Sequence, residues 1–256
     1  VVRWKNVALA TMVFQLSRRA PKLVRTLIRK QVERQVPKGY DVDTHFNPRY
    51  SPWDQRLCLV PNGDLFQAIS NGSASVVTDK VATFTERGIT LESGQELEAD
   101  LVVTATGLNM LALGGTELVV DGRKVELPNT LGYKGMMLSD VPNMALAIGY
   151  TNASWTLKVG LVCEYFVRLL DHMDRAGYDV AVPRPPVDGM PTRPLLDFGA
   201  GYVQRALDRL PKQGPAVPWV TSTSYSDDVR LLRRGPVADR HLVLRARPAA
   251  GATAAR

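Results

Sequence analysis

The chain is poor in the residues that most often declare a chemistry. Two cysteines and three histidines in 256 residues exclude a disulfide-stapled scaffold. Cys58 and Cys163 lie among apolar neighbours, which favours reduced, buried thiols in a cytoplasmic protein. His45, His172 and His241 are far apart, with no H-E-x-x-H pair and no cysteine cluster, so no metal site is expected. Long hydrophobic runs are also missing. The longest charge-free stretch, Val141 to Leu157, contains Pro142, Asn143 and Asn152 and falls short of the roughly 20 apolar residues of a spanning helix. No G-x-G-x-x-G, no P-loop and no G-x-S-x-G elbow occurs, which removes a complete dinucleotide fold, a P-loop nucleotidase and an α/β-hydrolase.

What is present is uneven in charge. Residues 1–38 hold ten Lys and Arg against one acid, Glu33, whereas the other 218 hold 22 bases and 24 acids. A basic arm on a near-neutral body is not a protein that coats nucleic acid uniformly. With 45% apolar and 22% charged residues the rest is an ordinary globular composition. The opening Val-Val-Arg-Trp-Lys has neither Met nor a signal core, so the chain is expected to be a fragment.

Periodicity predicts two helices over residues 1–36. Pro21 suits a first helical turn, and Leu23, Val24, Leu27, Ile28 and Val32 make an apolar face opposite Lys22, Arg25 and Arg29. Short β-type runs follow at Ser75 to Thr78, Val81 to Thr85, Ile89 to Glu92 and, after a Ser93-Gly94 turn, Gln95 to Glu98. Leu101 to Ala105 and Met144 to Ile148 read as strands, the first buried on both faces as in a parallel sheet. Leu157 to Met173 reads as a largely buried helix with a polar stripe at Glu164, Arg168, Asp171 and Arg175. A strand, a small polar loop and a helix start make a plausible ligand site, because unpaired amides and the positive end of the helix dipole point out of such a loop. From Pro183 onward an irregular tail is expected, with a short helix near Tyr202 to Leu210 and a disordered end from Ala249.

Three blocks carry a family resemblance: Trp53 through Phe66 (WDQRLCLVPNGDLF), Asp100 through Gly107 (DLVVTATG), and Pro142-Asn-Met with Gly149 through Thr156 (GYTNASWT). They resemble the flavin-containing and Baeyer-Villiger monooxygenases, closest to the ethionamide-activating subgroup. The resemblance continues through Leu210-Pro-Lys-Gln-Gly214, Pro218-Trp219 and Leu232-Arg-Arg-Gly235. It implies an α/β fold: an incomplete pair of interleaved FAD- and NADPH-binding domains with a helical insertion and an irregular C-terminal tail. Residues 1–107 would be the later part of the NADPH domain with residues 1–38 as its insertion, 108–182 the C-terminal part of the FAD domain, and 183–256 a wrapping tail.

The chemistry the resemblance implies is oxygenation of a ketone, or of a sulfur or nitrogen atom in a thioether- or thioamide-like substrate, by O2 through a C4a-peroxyflavin, with FAD and NADPH as cofactors. Arg56 would be the active-site cation beside that species; without the resemblance it would pass for a surface arginine. Gln55 stands where many relatives have a lysine for the cofactor phosphate, leaving NADPH against NADH open. Thr104, Ala105, Thr106 and Gly107 would form the crossing near both cofactors, or simply a tight strand exit. Asn152, Ala153, Ser154, Trp155 and Thr156 would meet the flavin's pyrimidine edge; an ordinary helix start capped by Ser154 or Thr156 accounts for them equally well. Trp53, Tyr150 and Trp155 would line a cavity or fill the core. Lacking the phosphate-binding turns, the chain is expected to be inactive alone. The rival expectation is a noncatalytic module whose basic arm, residues 1–38, binds an anionic membrane surface or nucleic acid; on the monooxygenase map nucleic acid is not a partner, and peripheral membrane contact through the arm could coexist with a cytoplasmic enzyme.

Overall fold

The computed structural model describes every residue except Val1, Arg56, Leu59, Asn152, Val187, Asp188, Asp197, Phe198 and 247–256. The disorder expected from Ala249 therefore lies outside the described residues. Helix and sheet are mixed, and the chain divides into two compact units, Val1–Leu108 and Asn109–Arg256.

In the first unit the two expected helices form as α1 (Val2–Arg19) and α2 (Pro21–Glu33), and Pro21 occupies the first turn of α2, where its missing N–H costs nothing. Val24 and Val32 are buried, and Val32 joins Val36 and Val42 in a small core closed by Tyr40, Phe46 and Phe66. The apolar face is narrower than the sequence suggested, because Leu23 and Leu27 stay half-exposed. Two cations of the opposite stripe turn onto the unit's own chain. Arg25 reaches the Asn47 amide oxygen at 2.7 Å and the Pro48 carbonyl, while Arg29 grips Asp43 at 2.6 and 2.8 Å and Glu33 at 2.5 Å. Asp43 belongs to α3 (Val42–Phe46), which Asp41 caps by accepting from the Thr44 amide and hydroxyl. A further helix, α4 (Asp64–Ser70), precedes an antiparallel meander of β1 (Val81–Thr85), β2 (Gly88–Leu91) and β3 (Glu96–Glu98). Gly94, at φ +87°, makes its Ser93-Gly94 turn.

Two expected strands of this unit are absent. Ser75 to Thr78 and Leu101 to Ala105 form no ladder, and Leu101 and Val103 are each 79% exposed rather than buried on both faces. Strand-type residues become a strand only when a neighbour supplies the hydrogen bonds, and no described residue pairs with either run.

The second unit is built on α5 (Trp155–Ala176), closed at its C-terminus by Gly177 at φ +70°. Leu161, Val162, Tyr165, Leu169 and Met173 recur at helical spacing on its buried face. They pack with Tyr133 and Met137 of the hairpin β6 (Gly132–Tyr133) and β7 (Met137–Leu138), and with Trp219, Leu232 and Leu242 from the tail. A small ribbon, β4 (Val119–Val120) with β5 (Arg123–Lys124), precedes that hairpin. The expectation of a largely buried helix needs correction: Cys163, Phe166, Val167 and Leu170 line an exposed face of α5. Cys58 is exposed too, so neither thiol is the buried group its neighbours suggested. Met144 to Ile148 is not a strand, although the Leu146 amide donates to the Met136 carbonyl at 2.6 Å. All named strand pairs are antiparallel, and the only parallel bridges among the described residues are isolated ones.

The segment after Pro183 is more deeply built in than an irregular tail. β8 (Val180–Pro183) pairs with β11 (Leu242–Arg245), and β9 (Arg193–Pro194) with β10 (Lys212–Gln213). The short helix expected near Tyr202 is α6 (Gly201–Gln204), followed by a 3₁₀ turn at Leu207–Arg209. α7 (Tyr225–Asp228) runs directly into a π-helix, Val229–Arg234. Arg168 of α5 closes that π-helix, donating to the carbonyls of Leu232 and Arg233 at 2.8 Å and Gly235 at 2.9 Å, while Glu164 holds Arg233 through two 2.6 Å bonds. A Cβ on Gly235 would sit 2.5 Å from the Leu231 carbonyl oxygen. The Leu232-Arg-Arg-Gly235 block thus has a packing role.

Candidate cofactor-facing loop

The loop between Gly149 and α5 is held from below. Gly149 lies against the helix start so closely that a Cβ there would fall 2.4 Å from Cγ of Trp155 and 2.6 Å from its Cα. Tyr150 is buried, and its hydroxyl donates to Oδ2 of Asp228 at 2.6 Å. Lys158, one turn into α5, pairs with the same oxygen at 3.2 Å and donates to the Ser222 carbonyl at 3.0 Å. Desolvation pushes the Lys158 ammonium below the usual lysine range and the Asp228 carboxyl above its own, each opposed by the charge of the other. The Tyr150 phenol is raised by burial, then by Asp228.

Above this base the helix start is open. Ser154 occupies the capping position but makes no side-chain cap; its hydroxyl sits 2.9 Å from that of Thr156 instead. The first turn carries no acid, and Ser154, Trp155 and Thr156 are exposed, Ala153 half-buried. A helix of 22 residues therefore presents its positive end and polar hydroxyls with no acid in its own first turn, and the nearby Asp228 carboxylate is buried beneath the loop and paired with Lys158. This arrangement fits the electron-rich edge of an aromatic ring system such as reduced flavin. Asn152 lies outside the described residues.

The other expected site residues belong to the first unit. Gln55 is half-buried and bridges to Pro52, and Thr104, Ala105, Thr106 and Gly107 are exposed in a run without regular secondary structure in which Gly107 adopts φ +97°. Arg56 lies outside the described residues. Trp53, two residues before Gln55, adopts φ +70°, and its buried indole N–H finds no acceptor among the described residues, a local strain of the kind that collects at functional segments. Of the three aromatics offered for a cavity, Tyr150 is buried in a polar network, Trp53 is half-buried and Trp155 is 53% exposed. A cleft of about 320 Å³ lies by Phe166, Leu170 and Met173, away from the start of α5.

Sequence reasoning missed both buried lysines. Lys158 falls in register with Leu161, Val162, Tyr165 and Leu169, and a cation on the apolar stripe of a helix was the available signal. Lys134 is equally buried, donating to the Tyr165 hydroxyl at 3.1 Å and the Pro236 carbonyl at 3.0 Å, with Asp239 at 3.5 Å; only the Tyr133-Lys134-Gly135 turn that carries it was a hint.

The comparisons with known proteins agree with the motif blocks. The chain is 51% identical over 248 residues to the FAD-containing monooxygenase EthA of Mycobacterium tuberculosis, an alignment covering 97% of this chain and 51% of EthA. It is 50% identical to EthA of Mycolicibacterium smegmatis over 94% of the chain and 49% of that protein. Against AlmA of Acinetobacter baylyi, named as a probable FAD-binding monooxygenase, identity is 44% over 91% of the chain and 47% of AlmA. No protein-family profile matches the chain. The chain spans about half the length of the curated relatives it matches, and within that span it is a relative of the FAD-containing monooxygenases.

Proposed function

We propose that this chain forms part of an FAD- and NADPH-dependent monooxygenase of the Baeyer-Villiger type, and that the Gly149–Thr156 loop meets the pyrimidine edge of the flavin. The observation that carries the reading is the exposed N-terminus of α5, whose first turn carries no acid, inside the segment that matches the FAD-containing relatives. When bound, FAD supplies the redox chemistry, taking electrons from NADPH and activating O2 to oxygenate a ketone or a sulfur or nitrogen centre. The chain's own share is placement and charge. The first-turn amides of Trp155 and Thr156 and the neighbouring hydroxyls favour negative charge on the ring edge. Thr104 to Gly107, small and exposed, allow close approach of a cofactor, and Arg56 is the cation assigned to the oxygenation step. Gln55 cannot supply the charge of a lysine, so it would leave discrimination for the NADPH phosphate to other groups. The residues described here carry no glycine-rich phosphate turn, so residues 1–256 alone are expected to hold no FAD and to show no activity.

Neither arm of the rival reading gains support: Arg25 and Arg29 of the basic stripe are engaged within the first unit. The test is to express the whole reading frame containing this chain and measure flavin absorbance, NADPH oxidation and oxygenation of a thioether. The expected result is a stoichiometric yellow protein whose product formation disappears in Arg56→Ala while flavin reduction persists. A full-length protein without flavin would overturn the proposal.

A further inference from the structure

We infer that Asp228 is a positioning residue that clamps the two ends of the loop entering α5. One oxygen of its carboxylate receives the Tyr150 hydroxyl at 2.6 Å and pairs with the Lys158 ammonium at 3.2 Å, and these two residues bracket the loop in sequence. Asp228, Lys158 and Tyr150 are only 1 to 2% exposed, so none of the three can touch a ligand lying on the exposed helix start.

The ammonium is matched on every side. It donates to the Ser222 carbonyl at 3.0 Å, lies 5.2 Å from the Tyr150 ring centroid, and has room because Gly135 carries no side chain; a Cβ there would be 3.2 Å from Nζ. The carboxylate is anchored in turn, since the Asp228 amide donates to the Ser224 carbonyl at 3.1 Å. The loop cannot open at its base without stranding a buried charge.

A buried ion pair is a poor way to gain stability alone, because apolar residues of similar volume often serve as well or better. What it enforces is geometry: a single carboxylate oxygen has two partners, one at each loop end, and the Gly149–Trp155 contact closes the same base. The consequence is that the first-turn amides of α5 are held at a set position relative to Tyr150. The functional meaning of that order rests on the flavin-facing reading, but the order itself does not.

Hydrogen exchange on residues 1–256 tests the clamp, following the first internally bonded amides of α5, Leu157 to Leu161, against the β8–β11 ladder as an internal reference. Asp228→Ala is expected to accelerate exchange at Leu157 to Leu161 at least tenfold while the ladder changes less than twofold. Lys158→Met combined with Asp228→Asn, which removes both charges and keeps a partner for Tyr150, is expected to restore the helix start to within threefold of the parent. Should Asp228→Ala fail to fold, Asp228→Asn is judged by the same local criterion. Unchanged exchange at the helix start, equal acceleration in helix and ladder, or no rescue by the double variant would each overturn the inference. A full-length protein that binds no flavin would remove the cofactor reading and leave these exchange results standing.

Discussion

Replacing Lys134 by Met removes the cation that ties the chain after the π-helix to the core, and its cost follows from the contacts. The ammonium is 1% exposed; it donates to the Tyr165 hydroxyl at 3.1 Å and the Pro236 carbonyl at 3.0 Å, with the Asp239 carboxylate at 3.5 Å. Methionine keeps the stem buried, and because Lys134 sits at φ +50°, both side chains bear the same backbone strain, which cancels. Two partners are not stranded by the change: Tyr165 still donates to the Val237 carbonyl, and Asp239, 25% exposed, keeps the Tyr133 hydroxyl at 2.8 Å. The loss is therefore the bonds to the Tyr165 hydroxyl and to the Pro236 and Val237 carbonyls, with the ion pair. It should fall near the lower end of the 3–5 kcal/mol typical of breaking a buried pair, about 3 kcal/mol. At about 2–4 °C per kcal/mol for a domain of this size, that is a fall in Tm of about 6–12 °C. Urea unfolding followed through Trp219, which is buried with its ring 5.4 Å from that of Tyr133, reads the transition of this unit. A loss below about 1 kcal/mol would refute the assignment of Lys134 as the tie.

Further outcomes follow from other contacts. Gly235→Ala forces a Cβ to within 2.5 Å of a backbone oxygen and should cost about 1–3 kcal/mol, measurable in the same urea experiment. Arg168→Ala leaves the carbonyls of Leu232, Arg233 and Gly235 without their guanidinium and should cost about 2 kcal/mol, with faster amide exchange confined to the Val229–Arg234 turn. In the first unit the Arg29 guanidinium holds Asp43 below the ordinary carboxylate value, and the Thr44 hydroxyl does the same for Asp41. Depressed folded values stabilise above the unfolded value of about 3.9, and this contribution is lost as pH falls through the lower folded values. Carboxyl NMR midpoints at or above 3.9 for both would contradict the sign. Gly149→Ala would push Trp155 from its seat; it is expected to disturb the Trp155 indole resonance and to weaken flavin binding in the full-length protein, while a silent spectrum would count against the close contact.

What could be read in advance was what depends on near neighbours. Pro21, the Ser93-Gly94 turn and the stripe of α5 act over a few residues, and α1, α2, the meander and α5 all appear. What failed depends on partners. Leu101 to Ala105 and Met144 to Ile148 have strand composition but form no ladder among the described residues, the second making only the Leu146 amide bond to the Met136 carbonyl, so composition alone did not make them strands. Cys163 lies among apolar residues yet is exposed, because one face of α5 is covered and the other is not. Of the candidate site, the loop before α5 was legible as an open helix start. The clamp beneath it was not, because Asp228 is 70 residues from Lys158 and sequence spacing says nothing about such a meeting.

The two buried lysines explain why a segment that reads as irregular is nonetheless part of the core. After Pro183 the chain has little apolar periodicity, and hydrophobic pattern alone would give it no unique course. Lys134 and Lys158 supply that course. A buried ammonium must be met by oxygen, and the oxygens come from the tail: Pro236 and Asp239 for one, Ser222 and Asp228 for the other. Arg168 adds a third such tie through Leu232, Arg233 and Gly235. Apolar contact at Trp219, Leu232 and Leu242 drives the tail onto α5, and the cations decide which residues land where. The same tie that registers the tail at Asp228 also sets the base of the Tyr150–Lys158 loop. Losing Asp228 should therefore disturb α7 and the helix start together, while losing Lys134 should loosen residues 236–239 and leave the helix start in place.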